Sequence, residues 1–226
     1  AAESVYMSTL KQLLGVRSTT CNDIAMLEAG VSDAKGYIRE RQRRFMGKLT
    51  SRPDFPDSYI GRVVTMAIDK RTPAGLILQS MVADGPVDYV SDSKAALCQR
   101  VCNSTSSRRL NYLKSNPDLS CSYAYDKRSI LPERHRIAYT RIRLSSHRLR
   151  IETGRWARLP LEERTCPCGA VQSEEHVLLN CPQPAELRAR CPASQTCDSL
   201  GELLAINSDS AAAICKLCAD ALSAMA

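Results

Sequence analysis

Apolar positions recur at helical spacing along most of the chain. Val5, Leu10, Leu13 and Leu14 share one helical face, and Gly15 follows as a stop. Ile24, Met26 and Leu27 begin a shorter helix ended by Gly30. Ser32 or Asp33 caps a third, which runs to about Leu49 and sets Arg39, Arg41, Arg43, Arg44 and Lys48 around Ile38, Phe45 and Leu49. Two prolines between Ser51 and Asp57 mark a linker. Further helices are predicted over 57–70, 73–83 and 91–114. Asn116-Pro117-Asp118 reads as a turn, and Pro132 opens the next element from a first helical turn. Beyond it, Ile142, Leu144, Leu149 and Ile151 alternate with arginines, which leaves open a change from helix to strand near Ser145 and Ser146. Residues 198–224 are Ala-rich and read as helix. The chain shows neither an internal repeat nor a low-complexity tract.

Composition supports the helical reading. Aromatic residues make up only 5%, with one Trp and two Phe, so the core must come from Leu, Ile, Val and Ala. Lys and Arg outnumber Asp and Glu by 31 to 24, a net +7, which makes polyanions plausible partners without selecting one. The positive charge is concentrated. Arg134, Arg136, Arg141, Arg143, Arg148, Arg150, Arg155, Arg158 and Arg164 fall within 132–165, against Glu133, Glu152, Glu162 and Glu163. The bland account of such a run is a solvated basic face. The functional account is a phosphate-tracking surface, because guanidinium forks onto two oxygens and keeps its charge. Arg141, Arg143, Arg148, Arg150, Arg155 and Arg158 are the candidate nucleic-acid contacts, with Trp156 and Tyr139 as candidate base-stacking platforms. Trp156 equally suits a core anchor.

Eleven cysteines, an odd number, sit badly with a closed disulfide framework. No leader pattern opens the chain and no apolar run is long enough to span a membrane, so a reducing intracellular setting is expected. The chain begins Ala1-Ala2-Glu3, which suggests a piece of a longer protein. In such a setting, clustered Cys and His mean metal. Residues 166–181 hold Cys166-Pro167-Cys168-Gly169, then His176, then Cys181, a complete tetrahedral set for zinc. Four protein ligands leave no open position, so the site is structural rather than hydrolytic. Pro167 and Gly169 suit a tight turn, and Ser173 can cap a short helix carrying Glu174, Glu175 and His176. Five α-helical residues turn about 500°, so Cys181 would point about 140° away from His176 unless the chain leaves the α-helix there. Pro182 encourages that departure. Cys191, Cys197, Cys215 and Cys218 form a weaker second candidate set, since Cys215 and Cys218 also fit a plain apolar face. Cys98 and Cys102 read as core helix positions, and His135 and His147 as local hydrogen-bonders.

The spacing of this cluster, with its arginine-rich lead Arg148-Leu-Arg-Ile-Glu-Thr-Gly-Arg-Trp156 and the stretch Glu174-Glu-His-Val-Leu-Leu-Asn-Cys181, resembles the C-terminal zinc knuckle of non-LTR (LINE-type) retrotransposon reverse transcriptases. Leu13-Leu-Gly-Val-Arg17 and Arg43-Arg-Phe-Met-Gly-Lys-Leu49 resemble the segment after the polymerase thumb in the same family. The resemblance covers about residues 10–182 and leaves 183–226 uncovered. It implies a region that helps a polymerase hold its template RNA or its DNA target, acting in the nucleus alongside the rest of the polypeptide. The expected organisation is all-α: post-thumb-like helices over 1–50, a helical connector over 51–131, the arginine-rich segment and knuckle over 132–182, and a C-terminal helical tail over 183–226. No catalysis is expected from this chain. Two-metal phosphoryl transfer needs paired carboxylates, and the family's Tyr-x-Asp-Asp is missing. Tyr123-Ala-Tyr-Asp126 is its superficial echo, with Tyr125 where the first Asp should stand. The rival expectation is a protein-interaction scaffold derived from a degenerate or domesticated element. It would pair the arginines with surface carboxylates, whereas nucleic-acid binding would leave them on one unpaired face.

Overall fold

The computed structural model describes residues 2–83, 89–125, 130–207 and 209–225, and over these the chain is helical, with no strand. No described helix is long and apolar enough to cross a membrane. Asp126 of the polymerase-like echo lies outside the described residues. The all-α expectation therefore holds, and the question left open near Ser145 resolves as helix, turn, helix rather than helix to strand.

Two compact units form. One combines Glu3–Val31 with the chain from Leu97 onward, and the other is Ser32–Ala96. These boundaries cut across the expected segments 1–50 and 51–131, because the partners of the first two helices lie far along the chain.

The Ser32–Ala96 unit holds α3 (Ala34–Thr50), α4 (Tyr59–Asp69) and α5 (Pro73–Ala83), and α6 (Tyr89–Cys102) begins in it. Asp33, not Ser32, caps α3 by accepting the Gly36 amide at 2.6 Å. Gly75 lets α5 come against α4: a Cβ there would lie 1.8 Å from the Ala67 carbonyl oxygen. Ile38 and Phe45, around which the basic residues of α3 are set, are exposed at 49% and 62%.

The larger unit contains α1 (Ala2–Leu14), α2 (Asn22–Ala29), α7 (Ser107–Ser115), α8 (Glu133–Arg143), α9 (Arg150–Trp156), the short α10 (Ala185–Ala189), α11 (Ala193–Thr196) and α12 (Leu200–Leu204), and α13 (Ala211–Met225). The buried face of α1 is Met7, Leu10 and Leu14; Val5 and Leu13 point outward. Gly30 ends α2 in the left-handed region with its amide bonded back to Leu27, as the sequence suggested. The helix expected over 91–114 is broken after Cys102. Ser104 draws the Ser106 amide to its hydroxyl at 3.2 Å, an alternative to helical pairing that a serine-rich stretch favours. The Ala-rich tail is likewise two helices, with Asn207 Oδ1 accepting the Ser210 amide at 3.0 Å between them.

Two apolar clusters build this unit. Met7, Leu10, Ile24, Leu27, Leu97, Val101, Tyr112 and Leu144 make one. The other forms where α8 lies along α13, with Tyr139, Ile142, Ile214, Cys215 and Cys218 inside it. A buried polar junction joins them. Arg143 of α8 meets Glu28 of α2 at 2.9 and 3.0 Å, its side chain 3% and Glu28 0% exposed. Its Nη1 reaches the carbonyls of Ser115 and Leu204, both at 3.2 Å, while Nη2 is buried without a hydrogen-bond partner among the described residues. Tyr112 and Tyr139 lie against it with ring centroids 5.9 and 5.4 Å from Cζ. Burial holds both phenols protonated well above their ordinary range. Burial also opposes the charge on Arg143, but Glu28 and the phenols outweigh it and keep the guanidinium charged.

Losing either partner of such a pair strands a charge in the core. Arg143→Met should therefore lower unfolding stability by about 3–5 kcal/mol, while Arg143→Met with Glu28→Leu should recover most of the loss. Urea unfolding of the single and double variants measures this; a single variant as stable as the parent would refute the role given to the pair.

Candidate metal centre and arginine surface

The sixteen residues from Cys166 to Cys181 fold around their own ligands. The Cys166 amide donates to Ala170 O at 2.7 Å and the Gly169 amide to Cys166 O at 2.8 Å, closing a tight turn with Gly169 at φ +93°. Only glycine adopts that φ without strain, as its place in the motif suggested. Thr165 and Val171 bridge across the base of the turn. Ser173 then caps the second half, its hydroxyl accepting the His176 amide at 3.1 Å.

The rotation problem between His176 and Cys181 has a solution the sequence reading missed. Residues His176–Asn180 form a π-turn, and the Cys181 amide donates to His176 O at 2.6 Å. An i→i+5 bond closes a wider loop than the α-helix, so His176 and Cys181 return to nearly one face. Cys181 itself is extended ahead of Pro182, as expected. The four ligand atoms lie within 4.8 Å of one another. Cys166 Sγ is 3.5 Å from Cys181 Sγ, Cys168 Sγ is 3.9 Å from Cys181 Sγ, and Cys168 Sγ is 3.1 Å from His176 Nε2. Cys166 and Cys181 are buried and Cys168 is exposed.

The local electrostatics suit a cation. A backbone hydrogen bond from Ala170 holds the Cys168 thiol below its usual range, and burial keeps His176 neutral to lower pH. Burial pushes the Cys166 thiol up to about 11, so ligation there must expel a proton. This Cys3His group can hold a metal ion. The second candidate set does not gather: among the described residues only the Cys166–Cys181 group brings three or more such ligands together. Cys191, Cys215 and Cys218 are buried in the apolar cluster instead, and burial lifts the Cys215 thiol to about 12. Cys102, expected in the core, is exposed.

One carboxylate fastens the ligand loop to the rest of the unit. Glu174, two residues before His176, is buried and accepts from Ser145 Oγ at 3.0 Å and pairs with His147 Nε2 at 2.9 Å. Burial works against its charge, but His147 and Ser145 prevail and hold the carboxyl below its usual range. His147 is thus the satisfied hydrogen-bonder expected of it; its Nδ1 accepts the Leu149 amide at 3.3 Å. His135 meets Arg134 Nε at 3.2 Å.

The arginines divide. Arg143 is removed from the nucleic-acid surface, since its guanidinium is consumed by Glu28. Tyr139 is removed with it: it is 1% exposed and its hydroxyl donates to Leu204 O at 2.6 Å. Arg155 contacts Glu152 at 2.7 Å, and Arg164 is spent on the carbonyls of Leu159 and Ile151. Arg141, Arg148, Arg150 and Arg158 remain exposed with no carboxylate partner among the described residues. Trp156 is 43% exposed, so it is no core anchor.

Two arginines outside the predicted set, Arg17 and Arg108, belong to this surface. Arg17 lays its Cζ 4.0 Å from the Trp156 ring centroid. Arg17 also joins Arg108 and Arg155 around the fully buried Glu152, at 3.4, 3.7 and 2.7 Å. Three guanidinium groups on one carboxylate leave an excess of positive charge. No local pattern could have found Arg17, which contacts a loop 128 residues away.

No family model, curated protein or solved structure matches the chain.

Removing one ligand should open the loop without unfolding the helices. For Cys168→Ser, metal stoichiometry under reducing conditions should fall from one ion per chain towards zero. Amide exchange should rise over 160–182 while α1, α2 and α8 keep their protection. Parent protein purified in reducing buffer with zinc present, yet carrying no ion by elemental analysis, would exclude the site.

Proposed function

We propose that this chain is a nucleic-acid-gripping part of a retrotransposon reverse transcriptase, catalytically silent by itself, with zinc as a structural staple. The reading is carried by the exposed Arg141, Arg148, Arg150 and Arg158, which have no carboxylate partner among the described residues and lie in the stretch of chain that holds Trp156 and leads into the Cys3His loop. The donor set supports zinc: three thiolates and an imidazole are its preferred closed shell. A zinc–sulfur bond of about 2.3 Å gives tetrahedral edges of about 3.8 Å, and the sulfur separations of 3.5 and 3.9 Å bracket that value. A filled shell has no position for water or substrate, so the ion holds the loop and does no chemistry. The motif resemblance supplies the setting, a polymerase working in the nucleus on RNA and genomic DNA. The chain brings no paired carboxylates of the polymerase type, so the isolated protein should extend no primer on any template with any divalent ion.

A second reading, the interaction scaffold, draws on the loss of Arg143 and Arg155 from the candidate phosphate contacts, since both pair with carboxylates of the chain itself, although these are buried and not on the surface. The two readings part on salt. If the four exposed arginines track phosphates, affinity falls steeply with ionic strength. Replacing all four with Ala should then flatten the log–log slope by about 0.7 per lost contact on single strands, or 0.9 on duplex. Arg143 and Arg155 are left intact so that the fold survives. Unchanged affinity of the quadruple variant in low salt would hand the case to the scaffold.

A further inference from the structure

A groove of about 460 Å³ opens where the end of α1 meets the turn between α8 and α9. Its volume falls in the range that takes a small ligand, roughly 300–1,000 Å³. Arg17, Arg141, Arg148, Ser146, His147 and Trp156 are among its lining residues, and among the described residues no acidic side chain lines it. The three cations reach it by different routes. Arg17 is held by the Ser145 carbonyl at 3.0 Å and by Glu152 beneath. Arg141 donates Nε to Gly15 O at 2.7 Å, which leaves its terminal nitrogens without a partner among the described residues. Arg148 has no side-chain partner among the described residues and is exposed. Glu152 does not cancel this charge, because it is already shared with Arg108 and Arg155.

The groove also has a flat wall. The Arg17 guanidinium lies on the Trp156 ring at 4.0 Å, and both planes are surfaces on which nucleobases stack. Cations alone would suit any polyanion. Cations beside a flat platform, in a concavity, suit a phosphate joined to an unpaired base. A duplex keeps its bases stacked inside and could not present one here.

We infer that this groove seats one nucleotide of a single strand, with the phosphate among Arg17, Arg141 and Arg148 and the base on the Arg17–Trp156 stack. The inference rests on the nucleic-acid reading above and narrows it to single strands and to one place. The backbone of the site is rigid by construction: the Arg17 amide donates to Ser146 Oγ at 2.9 Å, and Ser145 and His147 are both tied to Glu174.

Trp156 is the only tryptophan in the chain, so its fluorescence reports on this site alone. The 226-residue chain would be titrated at low salt with a labelled ten-nucleotide oligothymidylate, a hairpin duplex and polyglutamate. Tryptophan emission and label anisotropy would be followed together. Oligothymidylate should quench Trp156 with the same midpoint as the anisotropy change. Trp156→Ala should weaken oligothymidylate binding by roughly five- to hundredfold with little change in salt slope, and Trp156→Phe should restore part of it. Arg148→Ala, which removes no side-chain hydrogen bond or ion pair among the described residues, should weaken binding and flatten the slope by about 0.7. Arg190→Ala, at an exposed arginine outside the groove, should do neither. Binding without quenching, equal loss in Arg190→Ala, equal preference for the duplex, or equal competition by polyglutamate would each overturn the groove assignment. Of these, binding without quenching or a duplex preference leaves the broader nucleic-acid reading standing. Absence of any oligonucleotide binding at low salt overturns both.

Discussion

Arg143 and Glu28 face each other at 2.9 and 3.0 Å with both side chains buried, and the larger unit is arranged around that meeting. Two ions removed from water lose several kcal/mol of hydration each, and only close, well-oriented pairing offsets that loss. Such a pair tolerates little displacement. It fixes α2 against α8 and draws in the ends of α7 and α12 through the Ser115 and Leu204 carbonyls. Hydrophobic contact alone would let the two apolar clusters slide or repack. The ion pair between them sets one register, and the turn that follows Arg143 starts from a fixed point.

That turn carries the consequences. Ser145, with φ +47°, reverses the chain and gives its hydroxyl to Glu174, while His147 pairs with the same carboxylate. Arg17 reaches the Ser145 carbonyl from the other side. The ligand loop and the basic groove are therefore both tied to one short segment. Three buried carboxylates organise the unit: Glu28 holds Arg143, Glu152 gathers three arginines, and Glu174 anchors the metal loop. Each is a polar group in an apolar setting that has its partners, which favours one arrangement over its near alternatives.

What the sequence made legible was local. The four ligands fall within sixteen residues, so their chemistry and their turn residues could be read together. Gly30 and Asp33 mark helix ends because their effects reach only three or four residues. The π-turn was not legible, since counting at α-helical pitch correctly showed that His176 and Cys181 could not meet but gave no preference among remedies. Arg143 was misread for a different reason. Its partner stands 115 residues earlier, and nothing in the run 132–165 distinguishes it from its exposed neighbours. A hint lay in α2, where Glu28 follows Ile24 by four residues and so falls on the buried face. A carboxylate at such a position demands a cation without saying which one answers. The separation of Ser32–Ala96 as its own unit was hidden likewise, because it depends on where α1 and α2 find their partners.

A charge run is thus a mixture, and its parts have to be told apart by what each charge costs to move. Arg143 and Arg164 sit among carbonyls and carboxylates, so their removal is paid in folding free energy. Arg148 and Arg150 touch no acidic group among the described residues, so the fold gains nothing from their charge and bears their mutual repulsion. Arg17 and Arg155 lie between, pinned to a carboxylate that has more cations than it can neutralise. Positive charge kept where it does not stabilise the fold, beside the chain's only tryptophan and on a segment tied to Glu174, is the feature on which the proposed nucleic-acid reading rests. The metal loop suits the same end. A segment too short to bury a core of its own would be fixed by an ion on its four ligands, and through Glu174 that fixity would pass to the turn that carries Arg148.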